Sequence, residues 1–177
     1  NPADPKTYMP GQPNRGFAML GGRLFLTTAD AYVVALDAKT GRELWKVEMA
    51  KASEGHFSFM FPLALKDKII TGIGGGEFGV RGFIDAYDAA TGKRLWRFWT
   101  IPGPGEFGND TWAGDSWKNG AGTTWTIGTY DATTDTLYWQ VGNPGPDLNG
   151  DVRKGDNLFT CSVVALDPNT GKRKWHF

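Results

Sequence analysis

An all-β chain of the β-propeller class is predicted here, from three observations. The motif A-x-D-x-x-T-G-x-x-x-W occurs three times: ALDAKTGRELW at 35–45, AYDAATGKRLW at 86–96 and ALDPNTGKRKW at 165–175. The repeating unit is about 50 residues of short apolar runs and turns, a length that marks propeller blades. Composition agrees, with 8 Trp, 11 Phe and 25 Gly, as expected of many short strands joined by glycine-bearing turns. A β-sandwich with coincidental turns is the alternative, and three full matches argue against it.

Each motif position has a physical reason. Asp accepts backbone N–H bonds and closes a tight turn. Gly supplies the left-handed residue that reverses the chain. Trp offers a broad apolar face and one N–H donor, so it can pack between neighbouring sheets. The offsets are 51 (86 − 35) and 79 (165 − 86), so the third unit carries an insertion or follows a degenerate copy. TYDATTDTLYW at 129–139 is a weak echo, with Asp135 where the motif has Gly. The expected domain is one partial propeller over 1–177, of about three to four blades.

Along the chain, residues 1–13 carry Pro2, Pro5, Pro10 and Pro13 and read as a non-helical lead-in. Gly21-Gly22 is a turn between two strands. Residues 32–36 form a buried strand, 37–41 a turn, and 43–47 the next strand. Residues 51–73 give an apolar strand, a Lys-Asp-Lys turn and a second strand. Residues 72–96 join a unique half to a repeated half: Glu77 lies among glycines beside Arg81, and then the motif follows. Residues 78–87 read as a strand. Residues 101–122, dense in Gly, Pro, Asn and Asp, form a long loop, and such loops often carry function. Trp112 and Trp117 in it either shield a pocket or anchor the loop; anchoring is favoured.

Several function classes drop out. Lys plus Arg and Asp plus Glu are both 19, so no basic field suggests nucleic acid. No apolar run reaches the roughly 18 residues of a membrane helix. Cys161 is the single cysteine, so no disulfide forms within the chain; its apolar run suggests a buried structural thiol. Gly74-x-Gly76-x-x-Gly79 matches a dinucleotide pattern, but a strand follows where a helix is needed. Asp147-x-Asn149-x-Asp151 opens like a calcium loop, yet Val152 and Leu158 stand where Gly and Glu are required. His56 and His176 lack ligand spacing. The chain starts at Asn and stops just after a motif, which reads as an internal piece of a longer protein. An open arc of blades exposes strand edges. The piece alone is expected to aggregate or fold marginally; monomeric, cooperative melting would contradict that.

NRG at 14–16, GEFGVRG at 76–82, TTW at 123–125, VGNP at 141–144 and GDNL at 155–158 stand in order among the Trp repeats. With them the chain resembles the pyrroloquinoline-quinone (PQQ)-dependent alcohol dehydrogenases, the group of methanol and ethanol dehydrogenases. The resemblance implies an eight-bladed propeller with the quinone and a metal ion near its axis. On matching positions it implies that Glu77 ligates the metal by its carboxylate and Asn143 by its amide oxygen. Trp125 would be the floor under the quinone, Arg15 would contact its oxygens, and Gly75 and Gly76 would lie close by. The residue types suit those roles. A hard cation such as Ca²⁺ wants carboxylate and amide oxygens, and it polarises a carbonyl as a Lewis acid. A guanidinium suits the quinone's carboxylates, and an indole face suits a flat ring.

The implied activity is oxidation of a small alcohol by hydride transfer to metal-polarised quinone, with Ca²⁺ or a lanthanide as the ion. Electrons would pass to a cytochrome c, in the periplasm. The family's catalytic aspartate lies beyond residue 177, so no catalytic base is assigned. Two departures stand out. Many members carry adjacent cysteines shortly before the Asn-Arg-Gly; here 9–12 has none. Members often place a cofactor-contacting Thr three residues before a Pro; here Phe59 precedes Pro62, and Ser58 or another residue substitutes or the contact is missing. The rival reading is a non-catalytic Trp-repeat propeller, a scaffold of outer-membrane assembly or a sensor. It has no reason to keep Glu77, Trp125 and Asn143 together.

Overall fold

The computed structural model describes residues 14–177. The lead-in at 1–13, with the stretch lacking the family's cysteines, lies outside the described residues. Among the described residues twelve strands form three four-stranded antiparallel sheets, each a meander in chain order. The first holds β1 (Ala18–Leu20), β2 (Arg23–Thr27), β3 (Tyr32–Asp37) and β4 (Glu43–Glu48). The second holds β5 (Leu63–Leu65), β6 (Lys68–Gly72), β7 (Phe83–Asp88) and β8 (Arg94–Trp99). The third holds β9 (Thr129–Asp131), β10 (Thr136–Gln140), β11 (Val163–Leu166) and β12 (Arg173–His176). These are propeller blades, as the repeat predicts.

The middle blade is covered on both faces, which explains its unbroken apolar strands. Side chains alternate between faces along a strand. Ile69, Phe83 and Tyr87 therefore join one core with Phe25 and Val33 of the first blade. Ile70, Ile84 and Ala86 join another with Leu137, Trp139, Val164 and Leu166 of the third. A one-residue slip in β6 would exchange the two sets.

The repeat motif forms the turn between the third and fourth strands of every blade. In the first blade Asp37 Oδ1 accepts from the Thr40 N–H at 2.8 Å and from its hydroxyl at 2.7 Å. Asp88 does the same with Thr91 at the same distances. Gly41, Gly92 and Gly171 have φ of 70°, 74° and 70°, the left-handed conformation the motif requires. The motif Ala precedes a register shift in each copy, at Ala35, Ala86 and Ala165. Such bulges add local twist.

The glycine has a second duty that conformational reasoning alone does not reveal. A Cβ on Gly92 would come within 2.8 Å of the Trp45 ring, and one on Gly171 within 2.6 Å of the Trp96 ring. Trp45 and Trp96 are thus each seated on the motif Gly of the next blade. The N–H of each also reaches that turn: Trp45 Nε1 donates to Ala89 O at 3.3 Å and Trp96 Nε1 to Pro168 O at 3.1 Å.

Three readings need correction. The echo at 129–139 spans the β9–β10 hairpin, not a third-to-fourth strand turn, so it is no copy of the repeat. Its Asp135 still adopts φ 47°, the conformation for which the motif uses Gly. The strand expected from residue 78 starts at Phe83, because a 3₁₀ turn at Gly76–Phe78 and left-handed Gly79 (φ 70°) intervene. Cys161 is exposed rather than buried. The chain enters β11 only at Val163, and Asn157 and Cys161 are both left-handed, with φ of 56° and 51°. The apolar run around Cys161 is therefore not one strand.

Candidate functional site

Up-down topology decides which connections meet. The entry to a blade's first strand lies at the same end as the link between its second and third strands. The repeat turns lie at the opposite end. Arg15, residues 57–59 and residues 123–125 precede β1, β5 and β9 respectively, so they are three copies of one structural position. Glu77 lies in the β6–β7 link and Asn143 in the β10–β11 link, two copies of another. The 28 extra residues of the third unit (79 − 51) fall in the connections at 100–128 and 141–162, both at this end.

Backbone pairing brings the segments together. Thr124 N–H donates to Ile73 O at 2.8 Å, Ala121 N–H to Val80 O at 2.9 Å and Gly82 N–H to Ala121 O at 2.7 Å. On the other side Gly122 N–H donates to Asn143 O at 3.0 Å and Gly142 N–H to Thr123 O at 2.8 Å. Segments 73–82, 120–124 and 142–145 therefore run side by side. The buried Thr124 hydroxyl ties them further, donating to Phe83 O at 2.6 Å and accepting from Ile73 N–H at 3.0 Å. A Cβ on Gly72 would lie 2.2 Å from that hydroxyl, so this residue must be Gly.

A cavity of about 110 Å³ opens above this platform, bordered by Arg15, Gly75, Glu77 and Trp125 and by the Phe57–Phe59 segment, Gly74 and Thr123. Four of the six site residues expected from the sequence thus share one cavity. Gly76 borders a second cavity, of about 340 Å³, together with Glu77 and Asp147. Asn143 borders neither, and its exposed amide nitrogen donates to Asp147 Oδ1 at 2.8 Å and to Pro144 O at 3.2 Å.

Glu77 is presented on the 3₁₀ turn Gly76–Phe78, between left-handed Gly75 and Gly79. It is exposed, on a base of packed aromatics. Phe57 lies tilted, 4.9 Å from Phe59, and edge-on 6.3 Å from Phe78. Gly74 and Gly75 serve this packing. A Cβ on Gly74 would lie 2.5 Å from the Phe57 ring, and one on Gly75, at φ 109°, 2.2 Å from Gly55 O. Trp125 is 49% exposed, so one indole face is open, and the Arg15 guanidinium lies 5.8 Å from its centroid. Arg15 is held by its own N–H, which donates to Phe59 O at 3.0 Å. Ser58 also borders the cavity, and its buried hydroxyl has no partner among the described residues.

Arg81 belongs to the scaffold. Its Nε donates to Ile101 O at 2.7 Å and its Nη2 meets Glu106 at 3.2 Å. The guanidinium lies between Trp99, at 4.3 Å, and Trp117, at 5.0 Å. Burial lowers its pKa, opposed by Glu106. Trp112 Nε1 donates to Leu158 O at 2.7 Å, so both loop tryptophans are anchors. Asn157 of the GDNL stretch is buried and knots the two long connections together, its amide donating to Thr111 O at 3.3 Å and Arg153 O at 2.9 Å.

The donor set suits the implied groups. Glu77 and Asn143 offer the hard oxygens a calcium-like ion prefers, although such an ion takes about 6–8 of them, so the others must come from elsewhere. The open Trp125 face beside a guanidinium suits a flat, anionic ring. Residues 57–59, Gly74 and Thr123 were not singled out as site residues. Their signal was positional, since they flank the strand entries of successive blades.

Residues 52–177 match the family described as "PQQ: Glucose/ethanol/alcohol dehydrogenase, beta-propeller domain". The lanthanide-dependent methanol dehydrogenase of Methylacidiphilum fumariolicum is 42% identical across 93% of this chain and 30% of its own length. A solved europium-containing methanol dehydrogenase superposes with a TM-score of 0.87 at 41% identity, over 93% of this chain and 32% of that one. BamB from Moraxella catarrhalis, at 20% identity and a TM-score of 0.54 over 92% of this chain and 35% of that one, shares the fold alone. The chain spans about a third or less of the relatives it matches.

Proposed function

Because the chain belongs to the PQQ β-propeller family of glucose, ethanol and alcohol dehydrogenases, we propose that the polypeptide carrying it oxidises a small alcohol to an aldehyde. The proposed cofactors are PQQ and Ca²⁺ or a lanthanide, and the proposed electron acceptor is a cytochrome c, in the periplasm. The observation that carries this reading is the single cavity bordered by Arg15, Gly75, Glu77 and Trp125. A quinone and an ion held there would supply a hydride acceptor and a Lewis acid.

The chain's own residues bind and orient. Trp125 gives the ring a flat apolar seat, and Arg15 neutralises carboxylate charge at its edge. Glu77, on a turn fixed by Gly75 and Gly79, would hold the ion, and Asn143 would add a neutral oxygen from the neighbouring blade. Phe57 and Phe59 give the cavity a buried apolar wall. No residue described here takes the alcohol's proton. The scaffold reading would leave the convergence of an acid, a guanidinium and an open indole without a cause.

The test uses the full-length polypeptide with PQQ and either Ca²⁺ or a lanthanide, in dye-linked oxidation of short alcohols. Turnover is expected to require both quinone and ion, and the preferred ion identifies the metal. Glu77→Ala is expected to lower turnover about a thousandfold or more, the worth of several kcal/mol of electrostatic stabilisation. Absence of quinone binding and of turnover in both proteins would favour the scaffold.

A further inference from the structure

We propose that Asp147 is a positioning residue for the ion site, holding the Asn143 amide so that its oxygen rather than its nitrogen is offered to the ion. The inference rests on the reading of Glu77 and Asn143 as ion ligands. The opening Asp147-x-Asn149 of a failed calcium loop thereby acquires a role within that site.

The backbone of Asn143 is already fixed. Its carbonyl accepts from Gly122 N–H at 3.0 Å, and Gly142 and Gly145 on either side donate to Thr123 O at 2.8 Å and Gly120 O at 3.0 Å. What remains is the orientation of the side-chain amide, whose two ends have nearly the same shape and opposite chemistry. Its nitrogen end meets Asp147 Oδ1 at 2.8 Å and Pro144 O at 3.2 Å. An ionised carboxylate and a backbone carbonyl only accept hydrogen bonds. The end facing them must therefore be the NH₂, and in a planar amide the oxygen is then turned away from Asp147. Without that carboxylate only the longer bond to Pro144 O opposes a flip that would present two N–H groups to a cation. Asp147 also borders, with Glu77 and Gly76, the cavity of about 340 Å³. The hydrogen bond draws the amide dipole in the direction that strengthens its oxygen as a donor, as outer partners of metal ligands commonly do.

The test is terbium binding, read as tryptophan-sensitised luminescence, by the full-length polypeptide with PQQ. Asp147→Ala is expected to weaken terbium binding about 10- to 100-fold, and Asp147→Asn, whose own amide can pair with either orientation of Asn143, should weaken it less. Circular dichroism should match the parent for both variants. Unchanged affinity in Asp147→Ala would overturn the proposal. Glu77→Ala separates the two layers. If it also leaves terbium binding unchanged, the ion-site reading fails and takes this one with it. If only Glu77→Ala weakens binding, the site stands and Asp147 has no part in it.

Discussion

Asp85→Ala is expected to destabilise the protein by about 3–5 kcal/mol, the cost of stranding a buried charge. Asp85 is fully buried in β7. It accepts from Arg97 Nε at 2.7 Å and Nη2 at 2.6 Å, and from the Tyr87 hydroxyl at 2.6 Å. Arg97 also donates to Met49 O of the first blade at 2.8 Å, and its guanidinium lies 3.6 Å from the Phe83 centroid. Burial alone would lower the pKa of Arg97, but the hydrogen bonds and charge of Asp85 raise it, so this cation stays charged. Burial and the same carboxylate push the Tyr87 phenol far above its ordinary range. Removing the carboxylate leaves a buried cation without its counter-charge and the Tyr87 hydroxyl without its acceptor. Thermal unfolding of the full-length protein should show a midpoint several degrees lower. The double variant Asp85→Leu with Arg97→Met should recover much of the loss, because an apolar pair of similar volume is often as stable as a buried ion pair. Failure of the double variant to recover would mean that the pair itself contributes net stability.

Trp96→Ala should cost about 3–5 kcal/mol, the usual range for truncating a buried Trp. Trp96 is 9% exposed, seated on Gly171 and bonded to Pro168 O, whereas Trp175 is 45% exposed among the described residues. Thermal unfolding should therefore show a clear loss for Trp96→Ala. Gly171→Val should produce a comparable loss from the other side of the contact, through the left-handed φ and the ring it would strike. A neutral Gly171→Val would mean that the Trp seat is plastic.

The fold was legible because the repeat encodes it twice, once in turn chemistry and once in the spacing of Trp. The site was legible only through family resemblance. Glu77, Arg15 and Asn143 each sit at a turn or strand entry, where an acid, a base or an amide needs no special cause. Their convergence follows from blade topology, which a linear reading does not trace. Asp85 did carry a local signal: it is the one acid inside an apolar strand, directly across from Arg97 in register. Such cross-strand charge pairs are readable once the strands are aligned. The exposure of Cys161 was not readable, since it depends on left-handed residues that no glycine announces.

The seating of Trp45 and Trp96 on the next blade's Gly has a polarity. One face of a blade gives a ring and the other receives it, so the contact is head-to-tail and cannot be made by two like faces. Among the described residues nothing comes within 4 Å of a Cβ on Gly41, and Trp175 is 45% exposed. A head-to-tail contact, repeated at a constant rotation, closes into a ring or runs on as a helical filament. Closure is then a matter of the angle between blades, and the same few residues that stack them also determine how many complete the circle.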